Sequence, residues 1–322
     1  MKNIAVIGCG QLGRRHIQGL GRSSQKIKVH VYDIAPESLD ACKAFVADIA
    51  TEIENLEFAF FDDLVLLGSA VPQYDLIIVA STAHQRPTHL AQLVGAAQSR
   101  HWLIEKPLSQ SPEELDELTL VLPKNGVWIN HYRRFTRWHQ NLQIMLSSRK
   151  VKAVTFSGPD LGIGCNISHF VDLVNYWTSQ VPRLVDTTGL DNEWHTAKRT
   201  GFQDIDGAIK ITFSGGTTLS VVSNSALSKM TIEGTYDDGK KLFTIDEDEG
   251  TAVIDGEKGE TSRLPFQSEI TGLVFDEIDQ TDNSALTSFA TAAECYRPVI
   301  DALLTHWKGT SSGAGDKTVP LT

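Results

Sequence analysis

Three stretches of the chain carry residue types and spacings that can do chemistry. The first, Gly8-Cys9-Gly10-Gln11-Leu12-Gly13, has the spacing G-x-G-x-x-G. That spacing is informative only where a buried strand precedes it, a helix follows it and an acid lies about twenty residues on. Here the apolar run 2–7 precedes it, residues 11–19 can continue as a helix, and Asp33 lies 23 positions after Gly10. Gly8 permits the tight bend, Gly10 lets the backbone approach a pyrophosphate and Gly13 lets the helix sit close to the strand. The first helical N–H groups, at Gln11 and Leu12, then point at the phosphates. A carboxylate at Asp33 is placed to accept from the adenosine ribose hydroxyls. Its neighbours Ile34 and Ala35 offer no cation for a 2′-phosphate, so this stretch favours NAD over NADP.

The second stretch is Asn130-His131-Tyr132-Arg133-Arg134-Phe135. Two adjacent guanidiniums can pair with a substrate carboxylate or phosphate, or with acids of their own chain. The third is Gly164-Cys165-Asn166-Ile167-Ser168-His169-Phe170-Val171-Asp172. Cys165 and His169 stand at i, i+4, the spacing of a thiolate nucleophile and its base, although a small buried thiol accounts for Cys165 more simply. His131, His139 and His195 lack the clustered spacing of a metal site, and no metal is expected.

The elements that must position these residues follow from periodicity. Runs 2–7, 29–33, 75–80, 102–104 and 127–130 read as buried strands, with helical patterns at 36–49, 89–97 and from 112 onward, where Ser111 can cap. Alternation of strand and helix implies a doubly wound parallel sheet with ligands at the carboxyl ends of its strands. After about residue 150 the pattern changes. Residues 166–177 are apolar at helical spacing, and short β-rich runs (208–213, 217–223, 230–234, 241–245) are separated by glycine- and aspartate-rich turns, as in an antiparallel meander. Residues 286–307 suggest a closing helix interrupted at Pro298, and 309–318 a loose tail. The expected division is 1–123 and 124–322.

A chain of 322 residues with 41% hydrophobic and 21% charged side chains is an ordinary globular protein of about two domains. With 29 basic against 40 acidic residues its net charge of -11 argues against a nucleic-acid or anionic-membrane partner. The four cysteines are scattered, which suggests reduced thiols, and residues 1–7 are too short an apolar run for a signal sequence. A cytoplasmic location is expected.

Together the glycine turn, Glu105-Lys106-Pro107 about ninety-five residues beyond it, and the His169 and Asp172 helix resemble the Gfo/Idh/MocA family of oxidoreductases. The resemblance implies an N-terminal Rossmann domain followed by an open-faced antiparallel β-sheet domain. It implies cofactor contacts from Gly8, Gly10, Gln11, Leu12, Gly13, Asp33, Ser81, Thr82, His84, Glu105 and Lys106. It makes Lys106 and His169 the catalytic pair and Asn166, Asp172, Arg133 and Arg134 substrate contacts. It further implies a homodimer or homotetramer.

Two departures from the family pattern stand out. The loop Thr82-Ala83-His84-Gln85-Arg86-Pro87 is about two residues longer than usual, so His84 and Arg86 either reach the ligands or sit in solvent. Cys165 occupies the place of the family's first helical aspartate, which leaves three readings. His169 acts alone as base, or Asn166 and Lys106 bind the substrate in a changed pose, or redox chemistry is lost. The segment 294–304, followed by Val319-Pro320-Leu321-Thr322, is similar to the family branch found with surface-polysaccharide and nucleotide-sugar pathways. The expected activity is hydride transfer between nicotinamide and a secondary alcohol of a sugar, cyclitol or nucleotide sugar. The rival is a nicotinamide-binding sensor or partner subunit without turnover.

Overall fold

In a computed structural model of the chain, residues 1–259 and 263–322 are described. The elements begin β1 (Lys2–Ile7), α1 (Gln11–Leu20), β2 (Ile27–Tyr32), α2 (Pro36–Asp48), β3 (Leu56–Phe61), α3 (Leu64–Ser69), β4 (Tyr74–Val79), α4 (Arg86–Ala96), β5 (Ser99–Ile104), α5 (Pro112–Val121) and β6 (Val127–Ile129). They continue α6 (Arg137–Leu146), β7 (Ala153–Gly158), α7 (Ile163–Thr178), β8 (Pro182–Leu190), β9 (His195–Thr196), β10 (Gln203–Asp204), β11 (Gly207–Phe213), β12 (Thr218–Ser223), β13 (Thr231–Thr235), β14 (Lys241–Asp246), β15 (Thr251–Ile254), β16 (Glu257–Lys258), α8 (Gln267–Thr281), β17 (Thr287–Ser288) and α9 (Phe289–Lys308).

Two compact units result. One contains Met1–Glu105, Asp116–Asn130 and Pro265–Ala290, the other Lys106–Leu115, His131–Leu264 and Thr291–Thr322. Where the sequence suggests one boundary at 123/124, the chain crosses between units several times.

In the first unit, β1 to β6 form a parallel sheet in the order 3-2-1-4-5-6, with β17 added antiparallel to β6. This is the order in which a dinucleotide crosses the point where strand order reverses, between β1 and β4. Ile4, Ala5, Val6, Leu76, Ile77 and Ile78 are fully buried, the two-sided burial that their unbroken apolar runs require.

The helix α8 was not legible in the sequence. It returns to pack on α1 at a crossing where side chains are absent: a Cβ on Gly19 would stand 2.7 Å from Gln267 O, and one on Gly272 would stand 2.4 Å from Ser23 N. The apolar residues of α8 that enter the core, Ile270, Val274, Phe275 and Ile278, are diluted by polar neighbours. Its role depends on close approach, which hydrophobic periodicity does not report.

The second unit is an eight-stranded sheet in the order β16-β15-β14-β13-β7-β12-β11-β8. Its pairings are antiparallel except β7 with β12, which is parallel because β7 comes from before α7 and inserts between later strands. Strict alternation of burial along β7 and β12 shows one covered face. On that face α7 packs through Phe170 against Phe156, ring centroids 4.5 Å apart.

Residues 309–318, expected to be loose, are tied back by Trp307 Nε1 donating to Asp316 Oδ2 at 3.0 Å. Val319 and Leu321 are fully buried. Pro298 lies inside α9.

The α1–α8 crossing yields a prediction. Gly272→Ala should lower stability by about 1–3 kcal/mol through overpacking, measured by urea unfolding; an unchanged midpoint would contradict the close-approach account.

Candidate active site

In the first unit the glycine turn is built as its spacing requires. Gly8 has φ +87°, a conformation that other residues adopt only with strain. Its N–H donates to Tyr32 O at 2.8 Å. A Cβ on Gly13 would stand 1.9 Å from Gly8 O, whereas one on Gly10 would meet nothing within 4 Å. So Gly13 holds α1 against the turn, and Gly10 opens onto space that a phosphate can enter beside the first N–H groups of α1. Asp33 closes the cradle: Oδ2 accepts from Cys9 N at 2.8 Å and Oδ1 from Ala35 N at 3.0 Å. Each oxygen retains further lone-pair capacity for a hydroxyl donor. Ser81 lies beside the turn, its N 2.9 Å from a Cβ built on Gly8. Thr82 is half-buried and His84 is exposed. These residues fit the diphosphate and ribose of a dinucleotide.

Glu105 occupies a different place from the one expected of a cofactor contact. It is buried, its Oε1 lies 2.9 Å from His16 Nε2, and it accepts from Asn130 Nδ2. Asn130 Nδ2 also donates to Gln267 Oε1 at 2.7 Å, and His16 Nδ1 stands 3.1 Å from Thr271 Oγ1. Arg86, 1% exposed, donates to Glu105 O at 2.5 Å and Ser81 O at 2.7 Å. The long loop therefore contributes an internal clamp at Arg86 and a solvent-facing residue at His84. His16, Arg86, Asn130 and Gln267 were missed as partners because their meeting depends on tertiary contacts across the unit.

In the second unit, Lys106 is joined to Pro107 by a cis peptide, and its Nζ donates to Asn166 Oδ1 at 3.2 Å. Asn166 Nδ2 in turn donates to Leu161 O at 2.8 Å. His169 lies three residues along α7 from Asn166 and is buried. Burial, together with the charges of Arg133, His131 and Lys106, holds its pKa well below 6.5, so the imidazole is neutral at physiological pH. Its Nδ1 is buried without a hydrogen-bond partner in the protein. Its ring meets those of His131 and Tyr132 edge-on, centroids 5.2 and 5.6 Å away.

Asp172 and the two arginines are committed inside the protein. Arg134 binds Asp172 through two nitrogens, Nε to Oδ2 at 2.8 Å and NH2 to Oδ1 at 2.7 Å, and His131 Nδ1 is 3.2 Å from Oδ1. Burial alone would raise the Asp172 pKa, but His131 and Arg134 outweigh it and hold the carboxyl far below the usual range. Arg133 binds both oxygens of Glu247 at 2.9 to 3.1 Å, and His139 Nε2 reaches Glu247 Oε1 at 3.1 Å. Here too burial is overcome, and Glu247 is drawn down to about 2. The arginines answer to acids of their own chain, and Arg134 also lies over the Tyr176 ring at 4.7 Å. Among the described residues no three His, Cys, Asp or Glu side chains are placed to hold a metal ion.

Residues 2–131 match the profile of an oxidoreductase family with an NAD-binding Rossmann fold. Solved structures share the fold over nearly the whole chain. UDP-N-acetylglucosamine 3-dehydrogenase from Acidithiobacillus ferrooxidans matches 97% of this chain and 98% of its own at 15% identity, with a TM-score of 0.67. Scyllo-inositol dehydrogenase from Lactobacillus casei, solved with NAD(H) and scyllo-inositol, matches 94% and 95% at 12% identity and 0.65. Aldose-aldose oxidoreductase from Caulobacter crescentus matches 99% of each chain at 14% and 0.68. No curated protein matches the chain by sequence.

The Arg133–Glu247 pair gives a stability prediction. Glu247→Ala leaves a buried guanidinium uncompensated and should cost about 3–5 kcal/mol. In the wild type the folded carboxyl titrates near 2 instead of its ordinary 4.5. Its contribution is therefore complete above about pH 4.5 and is lost as pH falls toward 2. Urea unfolding across that range checks both statements; a loss under about 1 kcal/mol in the variant would contradict the pairing.

Proposed function

We propose that this chain, whose residues 2–131 belong to the Gfo/Idh/MocA family of NAD-binding Rossmann-fold oxidoreductases, is an NAD-dependent dehydrogenase of polyols. Its substrate would be a secondary alcohol, or the matching ketone, of a sugar, cyclitol or nucleotide sugar. The observation that carries this reading is the joint occurrence of an open glycine cradle closed by Asp33 with a Lys106–Asn166 pair and a neutral, buried His169. Fold relatives that act on inositol, aldose and UDP-sugar substrates by their names support the substrate class.

When bound, nicotinamide supplies the hydride acceptor or donor. The chain's own residues do the rest. The turn 8–13 and the start of α1 receive the diphosphate, and Asp33 accepts from the ribose hydroxyls. With Ile34 and Ala35 following Asp33, nothing in that stretch welcomes a 2′-phosphate, and we favour NAD over NADP.

Lys106 follows the last residue of β5 by two positions in the chain. Its ammonium donates to the substrate oxygen and stabilises the charge that develops there, while Asn166 Oδ1 holds the ammonium in place. The imidazole of His169 takes the hydroxyl proton during oxidation and returns it during reduction. Arg134, Asp172, Arg133 and Glu247 position the segment 131–135 and the helix α7. We place the protein in the cytoplasm as a homo-oligomer; among the described residues no helix is long and apolar enough to cross a membrane.

One observation favours the non-catalytic reading. Cys165 stands where the family carries a carboxylate, and among the described residues His169 Nδ1 is buried with no hydrogen-bond partner. Two predictions separate the readings, with reduced-nicotinamide absorbance followed against inositols, aldoses and UDP-sugars. Lys106→Ala and His169→Ala should each lower kcat by about 100-fold or more and leave NAD affinity by calorimetry within about twofold. Full turnover in His169→Ala removes it as the base, and NAD binding without wild-type turnover across the panel selects the sensor. Because the folded imidazole has its pKa depressed, the base form persists on acidification, and the acid limb of kcat should fall well below pH 6.5. A limb at or above 6.5 contradicts the assignment.

A further inference from the structure

The first turn of α7 is held by an acid that the chemistry above leaves unused. Asp204, on the short strand β10, is 7% exposed. Its Oδ1 accepts from Gly164 N at 2.8 Å and from Ile205 N at 2.9 Å. The N-cap position of α7 is Gly162, which has no side chain to offer. Asp204 therefore caps the helix from elsewhere in the fold, with its negative charge at the positive end of the helix dipole.

The second oxygen lies toward Asn166. A Cβ built on Gly162 would stand 2.9 Å from Asp204 Oδ2 and 3.1 Å from Asn166 Nδ2, so carboxylate and amide lie on the same side of the turn. Asn166 donates from Nδ2 to Leu161 O and presents Oδ1 to Lys106. With an anion on its Nδ2 side and a cation on its Oδ1 side, the amide has one favourable orientation. The same carboxylate touches Cys165, where burial first and Asp204 second push the thiol up to about 11.

A segment near the end of the chain braces this corner. Val319 N donates to Gln110 O at 2.9 Å, Gln110 Nε2 to Leu321 O at 2.7 Å, and Gln203 N to Pro320 O at 2.8 Å. The buried Leu321 fills the space over Gly164, where a Cβ would stand 2.7 Å from its Cδ2. The loop after Lys106, the strand bearing Asp204 and the first turn of α7 are thus tied to one strap.

We propose that Asp204 is a positioning residue for Lys106. From β10 it supplies the carboxylate that α7 lacks at position 165, and it orients Asn166 so that Oδ1 meets the Lys106 ammonium. The proposal rests on the reading of Lys106 and Asn166 as substrate-side residues, but its test needs no turnover, so the two can fail separately.

The test measures acetylation of Lys106 by acetic anhydride at fixed pH on the full chain, read by peptide mass spectrometry, in wild type, Asp204→Asn, Asp204→Ala, Asn166→Ala and the Asp204→Asn/Asn166→Ala double variant. An Asn at 204 can still accept from Gly164 N, so the helix cap survives, but its amide loses the charge and can set N–H against N–H at Asn166. An ammonium whose acceptor turns away loses its proton more readily. Lys106 labelling should therefore rise roughly threefold or more in Asp204→Asn, as in Asn166→Ala. The double variant should match Asn166→Ala alone, since both changes act on one contact. Asp204→Ala, which also removes the cap, should label as fast and unfold at lower urea. Unchanged labelling in Asp204→Asn with a wild-type unfolding midpoint would reduce Asp204 to a cap, and additive effects in the double variant would show that it does not act through Asn166; either overturns the proposal.

Discussion

The structure of the nucleotide-binding unit depends on one buried carboxyl group. Glu105 is 4% exposed, and a polar group so placed must be satisfied within the protein. His16 brings α1 to it, Asn130 brings the end of β6, and through Asn130 the side chain of Gln267 brings α8. Its backbone is held as well, N to Val79 O at 3.0 Å and O by Arg86. The chain leaves this anchor into Lys106. The clamp fixes the backbone and side chain of Glu105 at the point where the chain leaves the first unit.

The second unit uses the same logic with charge. Arg134 with Asp172 and Arg133 with Glu247 are buried, bidentate and geometrically demanding, and each ties the segment 131–135 to a different element, α7 in one case and the end of β14 in the other. Such pairs gain little net stability over apolar packing but tolerate few alternative arrangements. What they fix is the frame around His169, whose neutrality follows from burial among cations with no acid of its own. Of the two edge-on histidines, His131 and not His169 lies against a carboxylate, that of Asp172.

Much of this was legible in the sequence because the signals were local. The glycine turn needs only strand, turn and helix in succession, and the parallel sheet follows from the alternation of strand and helix. Lys106, Asn166 and His169 stand out in the sequence through the family resemblance. The distinction between groups that face a ligand and groups that face their own chain was not legible. Glu105, Asp172, Arg133 and Arg134 are polar residues in the right motifs, and only the partners His16, Asn130, His131 and Glu247, the last more than a hundred residues from Arg133, show what they bind. The helix α8 and the strap 319–322 escaped for a related reason, since glycine-mediated approach and backbone hydrogen bonds leave no periodic trace.

The central claim is that a carbon-bound hydrogen of a polyol passes directly to nicotinamide in a site organised by Lys106 and His169. The most direct measurement is isotopic: incubate the protein with NAD and inositols, aldoses or UDP-sugars deuterated at the carbinol carbons, and examine the recovered nicotinamide by mass spectrometry. The account predicts one deuterium transferred to the nicotinamide ring, on a single face, and transfer slowed about 100-fold or more in His169→Ala. Deuterium appearing in solvent water, or no transfer from any of these substrates by protein shown to bind NAD, would contradict it.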